Sequence, residues 1–183
     1  MKNQFTFLFL LSTFLHFQSS AQVKWGYKVG LGSAINSFNG STTKAKSLLS
    51  YHLGIVNETS IDEKFAIQPS VFYIKKGYAE AFTSFPIHYI EAPVLLTYKP
   101  SPNYQLGIGP VFSFLLSSYS TRTKKFDFGA NISGAYYASD RTALSLNYTF
   151  SLGGINESGS DVRNRVINFS IIRFVDLSEF GHF

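Results

Sequence analysis

The sequence contains no cysteine, one tryptophan, one methionine and only 15% charged residues. Without cysteine there can be no disulfide staples, and no lipid-bearing cysteine can follow a leader, so an exported chain of this kind is not a lipoprotein. Long apolar runs are also missing. After residue 21 no stretch approaches the roughly 20 residues a membrane helix requires. If the chain crosses a membrane, it must do so with strands that satisfy one another's backbone groups. A concentrated basic stripe is absent as well. The formal charge of +5 is spread through loops and strand ends, which removes nucleic acid from the expected partners.

What is present begins with a leader. Lys2 precedes an apolar run from Phe5 to Phe17, too short to span a bilayer, and Ser19-Ser20-Ala21 follows. Small residues at Ser19 and Ala21 suit signal peptidase, so residues 1–21 read as a cleaved signal peptide and Gln22 as the mature N-terminus. Residues 22–183 are then a one-domain length, with a formal charge of about +4 once Lys2 is removed.

Aromatics reach 17% and glycine is plentiful, and both fall into a period of two. From Trp25 to Ile35, Trp25, Tyr27, Val29, Leu31 and Ile35 share one face, and Gly26, Lys28, Gly30, Gly32 and Ala34 the other. Tyr104–Ser117 sets Tyr104, Leu106, Ile108, Phe112 and Phe114 against Gln105, Gly107, Gly109, Ser113 and Ser117. Phe126–Tyr136 and Thr142–Gly153 repeat the pattern, with Asp127, Asn131, Ser145, Asn147 and Thr149 on the polar side. Leu49–Glu58, Lys64–Lys75, Ile87–Lys99 and Asn164–Phe174 complete a set of eight strands. In a soluble barrel the bulky face would point inward. Here the opposite face is both small and polar, as a narrow barrel interior requires.

The connections are expected to alternate. Those around 36–46, 76–86, 118–125 and 154–163 are long, whereas 59–63, 100–103 and 138–141 are brief and rich in turn formers. Strands of about 11 residues rising roughly 3.4 Å each, tilted by about 40°, cover some 27 to 29 Å, near the apolar band of about 25 Å in such barrels. Trp25, Tyr27, Tyr98, Tyr104, Tyr136 and Phe174 are expected at a periplasmic aromatic girdle, and Tyr51, Tyr73, Phe114, Phe126 and Phe150 at an outer one. The fold class read from this is all-β, an eight-stranded antiparallel up-and-down transmembrane β-barrel of the outer membrane.

The leader ends Ser-Ser-Ala-Gln, Trp-Gly-Tyr-Lys-Val-Gly-Leu-Gly opens the mature chain from Trp25, and Tyr-Ile-Glu-Ala-Pro-Val-Leu-Leu-Thr-Tyr over 89–98, Gly-Ile-Gly-Pro over 107–110 and Asn-Arg at Asn164 follow. In combination these segments resemble the PorT-like outer-membrane barrels of Bacteroidetes-type bacteria. The resemblance covers the mature chain and implies an eight-stranded outer-membrane barrel, in some members one that assists secretion or gliding machinery. It implies little about activity. In such proteins the last strand usually ends the chain at an aromatic. Here Val175–His182 separates Phe174 from Phe183, so either phenylalanine is a candidate signal for the barrel-assembly machinery.

Eight strands leave an interior filled by side chains, not a wide pore. Lys28, Glu91 and Asp127 point inward by parity and, with Glu58 and Lys99 nearer the periplasm, are expected to pair as a lumen network, because an unpaired charge there is costly. His52 also points inward, His88 lies at an outer rim and His182 in the tail. No nucleophile motif accompanies them, so no catalytic residue, metal site or cofactor is assigned. The alternatives weighed are a lipid-modifying enzyme of the outer membrane and a soluble periplasmic carrier of lipocalin type. Lys44, Lys46, Arg122, Lys124 and Lys125, with Lys75 and Lys76 beside them, form a basic set on the outer loops for which lipopolysaccharide phosphates are the expected partner. An envelope or secretion-system protein is a further possible partner.

Overall fold

In the computed structural model, residues 23–38, 46–80, 83–120, 123–155 and 162–175 are described. The leader, Phe183, Lys44 and Arg122 lie outside them. Eight strands follow in chain order: β1 Val23–Phe38, β2 Leu48–Ser60, β3 Phe65–Glu80, β4 Thr83–Ser101, β5 Tyr104–Ser118, β6 Phe126–Ser139, β7 Thr142–Ser151 and β8 Val162–Val175. Each pairs antiparallel with its neighbour, and β1 closes the barrel against β8 from Trp25↔Val175 to Phe38↔Val162.

The short turns are chemically fixed. Asp62 Oδ1 accepts the backbone N–H groups of Lys64 and Phe65, both at 2.7 Å, which bends the chain from β2 into β3. Asn103, between β4 and β5, exchanges backbone and side-chain bonds with Tyr137. These turns, the start of β1 and the end of β8 share one end of the barrel, the periplasmic end by the convention of such folds.

The two faces of the wall differ as the alternation predicts. Leu31, Leu53, Ile108, Leu146 and Phe169 stand outward with more than half their surface free, while Lys28, Ser113, Asn131, Asn147 and Ser170 are buried inside. A soluble barrel would invert this arrangement. At the seam Gly30 and Gly32 allow β1 to press on β8. A Cβ at Gly32 would meet the Ile167 carbonyl oxygen at 2.0 Å, and one at Gly30 would strike both the Phe169 oxygen and the His52 ring at 2.5 Å.

Four expectations are corrected. First, 76–86 is not a loop. β3 and β4 stay paired from Lys76↔Ile87 to Glu80↔Thr83, leaving residues 81–82 as the connection. Tyr78 stacks on Phe85 at 4.9 Å and Tyr119 packs edge-on against Phe85 at the same distance. Lys46 and Ala79 exchange two backbone hydrogen bonds that brace the hairpin from the side, and Gly77, at φ 121°, supplies the left-handed step. Second, Ser117 is exposed, not lumenal. A bulge lets His88 pair with Ser117 while Tyr89 pairs with Leu115, and the extra residue reverses the parity. Third, Phe174 faces inward and lies parallel to Tyr137, 6.3 Å away, so it does not belong to the girdle. Fourth, the interior is not uniformly small and polar. Ala34, Phe72, Ile74, Ile87, Tyr89 and Val166 are among an apolar layer toward the outer end, and Val56, Tyr137, Ala143, Ile172 and Phe174 form another toward the periplasm.

Candidate functional site in the lumen and at the outer rim

Three polar groups are stacked in the lumen, each built from inward residues of several strands. Nearest the periplasm is Glu58 of β2. It accepts hydrogen bonds from Lys99 at 2.6 Å, Gln105 and the Tyr137 hydroxyl at 2.8 Å each, and Gln68 at 3.2 Å. One carboxylate thus ties together β2, β3, β4, β5 and β6, and its charge is compensated on both oxygens.

At mid-height Lys28 donates to Asn147 Oδ1 at 3.0 Å, and its ammonium lies 5.7 Å from the centre of the Phe72 ring. This differs from the expected pairing: among the described residues Lys28 reaches no carboxylate. His52 meets Ser170 Oγ through Nε2 at 3.1 Å. Lys28, His52, Asn131, Asn147 and Asn168 line a cavity of about 10 Å³, room for roughly one water molecule. His52 Nδ1, Asn131 Oδ1 and Asn168 Oδ1 have no protein partner there.

Toward the outer end lie Glu91 and Asp127. Glu91 pairs with Lys76 and accepts from Ser113 at 2.7 Å. Asp127 is held by neutral donors, Ser151 at 2.5 Å and Asn164 at 3.4 Å. Lys76, expected beside the outer loops, belongs to this group instead. It is 1% exposed, inside the barrel, and its ammonium lies 5.2 Å from the centre of the Tyr89 ring. Following the parity Phe72, Ile74, Lys76 one step further along β3 would have found it.

Of the basic loop set, Lys46, Lys124 and Lys125 are exposed at the outer rim. The backbone of Lys124 donates to the Ile155 carbonyl, and the Lys125 carbonyl accepts from Leu115, which fixes the loop on two sides. Lys75, by contrast, faces outward on the wall of β3. Among the described residues no three His, Asp or Glu side chains gather to hold a metal ion.

A closed antiparallel barrel with an apolar outer wall about one membrane tall and a packed polar interior defines a transmembrane barrel of the outer-membrane class. The chain belongs to the outer membrane protein β-barrel domain family, whose model matches residues 17–157. No curated protein sequence matches it. Among solved structures it is similar to Neisserial surface protein A, with a TM-score of 0.58, 14% identity, and coverage of 83% of this chain and 98% of that one. It is similar also to Ail, the attachment invasion locus protein of Yersinia pestis, with a TM-score of 0.54, 10% identity, and coverage of 84% and 99%. At these identities the likeness is one of fold.

Proposed function

We propose that this chain is a non-catalytic outer-membrane barrel, of the PorT-like kind, that works as an anchored interaction platform in the cell envelope. The observation that carries this reading is the filled interior. Two apolar layers bracket a mid-lumen with space for about one water, so the barrel offers solutes no path. What it offers other molecules is its rim. There Lys46, Lys124 and Lys125 are exposed, and Lys44 and Arg122 adjoin them in sequence. Lipopolysaccharide phosphates are the counter-charge available at that surface, and an envelope or secretion-system protein is a second class of partner for the same rim and the periplasmic turns. Export proceeds by cleavage after Ala21, and the barrel-assembly machinery inserts the chain.

The soluble-carrier alternative needs an apolar cavity inside a polar wall, and this barrel is built the other way round. A lipid-modifying enzyme needs a nucleophile beside a base that a third group orients. His52 touches Ser170, but both are buried inside the lumen, away from any lipid; on the outer wall His88 has its Nδ1 occupied by the Tyr73 phenol, and among the described residues neither histidine has a carboxylate within ion-pair distance.

The test is expression of the full chain in a Gram-negative host. The expected result is a heat-modifiable band in the outer-membrane fraction whose N-terminus is Gln22. Replacing Lys44, Lys46, Arg122, Lys124 and Lys125 with glutamine is expected to weaken lipopolysaccharide association without changing the heat shift. Unchanged association would remove the loop patch from the proposal.

A further inference from the structure

We propose that a patch on the outer wall of β2–β5, centred on Lys75 and His88, holds a phosphate group of a lipopolysaccharide molecule in the surrounding outer leaflet. The site is distinct from the loop patch and depends only on the barrel's being embedded in the outer membrane.

Register brings the groups together. Tyr51 pairs with Lys75, Lys75 with His88, and His88 with Ser117, so four adjacent strands present these side chains in one outward row. Tyr73 lies one row nearer the periplasm. Its hydroxyl is 2.5 Å from His88 Nδ1, and the two rings stack at 5.7 Å. Tyr51 is 6.1 Å from Tyr73, and the Lys75 ammonium lies 5.6 Å from the centre of the Tyr51 ring. With the phenol donating to Nδ1, the imidazole keeps Nε2 as an N–H for a second partner. Ammonium, imidazole N–H and hydroxyls are the donors a phosphate takes, and none of these groups is an acid.

The height of the row is set by the same two strands. Lys75↔His88 stands ten rungs above Phe65↔Tyr98, an aromatic pair of the periplasmic girdle whose rings are 5.2 Å apart. Ten residues of tilted strand rise about 25 Å along the membrane normal, the depth of the apolar band, so the row lies where headgroup phosphates begin. Lys75 has no ion pair among the described residues, and a cation on a lipid-facing wall calls for a counter-charge.

The β4–β5 bulge supplies an independent argument. Without the extra residue, Ser117 would lie on the lumen side; with it, the hydroxyl is turned outward beside His88. Bulges commonly serve to re-aim a side chain. The row stops at β5: the outer parts of β6 and β7 carry Phe126, Phe128 and Phe150 outward, and Arg165 of β8, beside Phe150, is a separate outward cation across that aromatic stretch.

The experiment uses the full barrel, delipidated in mild detergent and titrated with bisphosphorylated lipid A, with the same lipid stripped of both phosphates, and with inorganic phosphate. The wild type is expected to prefer the phosphorylated lipid by about tenfold. The Lys75→Gln/His88→Gln double variant is expected to lose that preference, and glutamine at Lys64, an exposed lysine of the periplasmic β2–β3 turn, to leave it intact. Heat-modifiable mobility checks that each variant is folded. If a double variant misfolds, the milder Lys75→Arg is expected to keep the preference and Lys75→Gln alone to reduce it. A wild type that does not distinguish the two lipids overturns the proposal. So does a double variant that retains the preference, an equal loss of it in Lys64→Gln, or competition by inorganic phosphate as strong as by the lipid.

Discussion

The two carboxylate groups of the lumen are built differently. At the periplasmic end a single acid, Glu58, faces one lysine and three neutral donors from four other strands. At the outer end two acids, Glu91 and Asp127, have Lys76 in ion-pair contact with Glu91 only, and neutral donors complete the set. The lower group is over-satisfied, and its cation, Lys99, has a side chain 22% exposed that reaches water at the rim. The upper group carries an excess of negative charge in a fully enclosed place. Removing a single neutral donor should therefore matter little below, whereas removing the one lysine should matter a great deal above, because the cost of a buried charge depends on what remains to solvate it.

The largest expected effect comes from Lys76→Met. It strands Glu91 beside Asp127 with no cation in contact, and should destabilise the barrel by about 3–5 kcal/mol in urea unfolding from vesicles. A loss below about 1 kcal/mol would mean that Lys28 or water takes over, and the contrast between the ends would fail. Next is Glu58→Gln, which loses the charged acceptor but keeps the shape. A loss of about 1–3 kcal/mol is expected in the same assay. Smallest is Asp127→Asn. Removing one of two neighbouring negative charges, where the existing donors are neutral, should change stability by no more than about 0.5 kcal/mol. A larger loss would show Asp127 to be as necessary to the upper group as Glu58 is to the lower.

Much of this was legible in the alternation. The outward residues from Trp25 to Leu31 and from Leu144 to Tyr148 could be assigned because a strand has one period and one face was uniformly bulky. The inward position of Glu58, Glu91 and Asp127 followed from the same count. What parity does not carry is distance between strands that are remote in sequence. It places Phe72 and Tyr89 inside without showing that they meet Val166 in a layer. A single inserted residue at the β4–β5 bulge reverses every assignment beyond it, which is how Ser117 was misplaced. Lys76 was lost to composition. A Lys-Lys-Gly run reads as a loop when strand ends are judged by polarity, whereas here the strands continue because aromatic stacking holds the hairpin beyond the wall.

The glycines of β1 bear on how the barrel is made. Every strand pair but one joins neighbours in sequence; the seam joins residues roughly 120 to 150 positions apart. Loop-closure entropy makes such a pairing slow, and it cannot form before the hairpins that bring its strands within reach. The last strand to be located thus meets an edge stripped of side chains at Gly30 and Gly32, where its carbonyls can approach without displacing anything. Bulk added there would act less on the finished barrel's lifetime than on the rate of its final zipping.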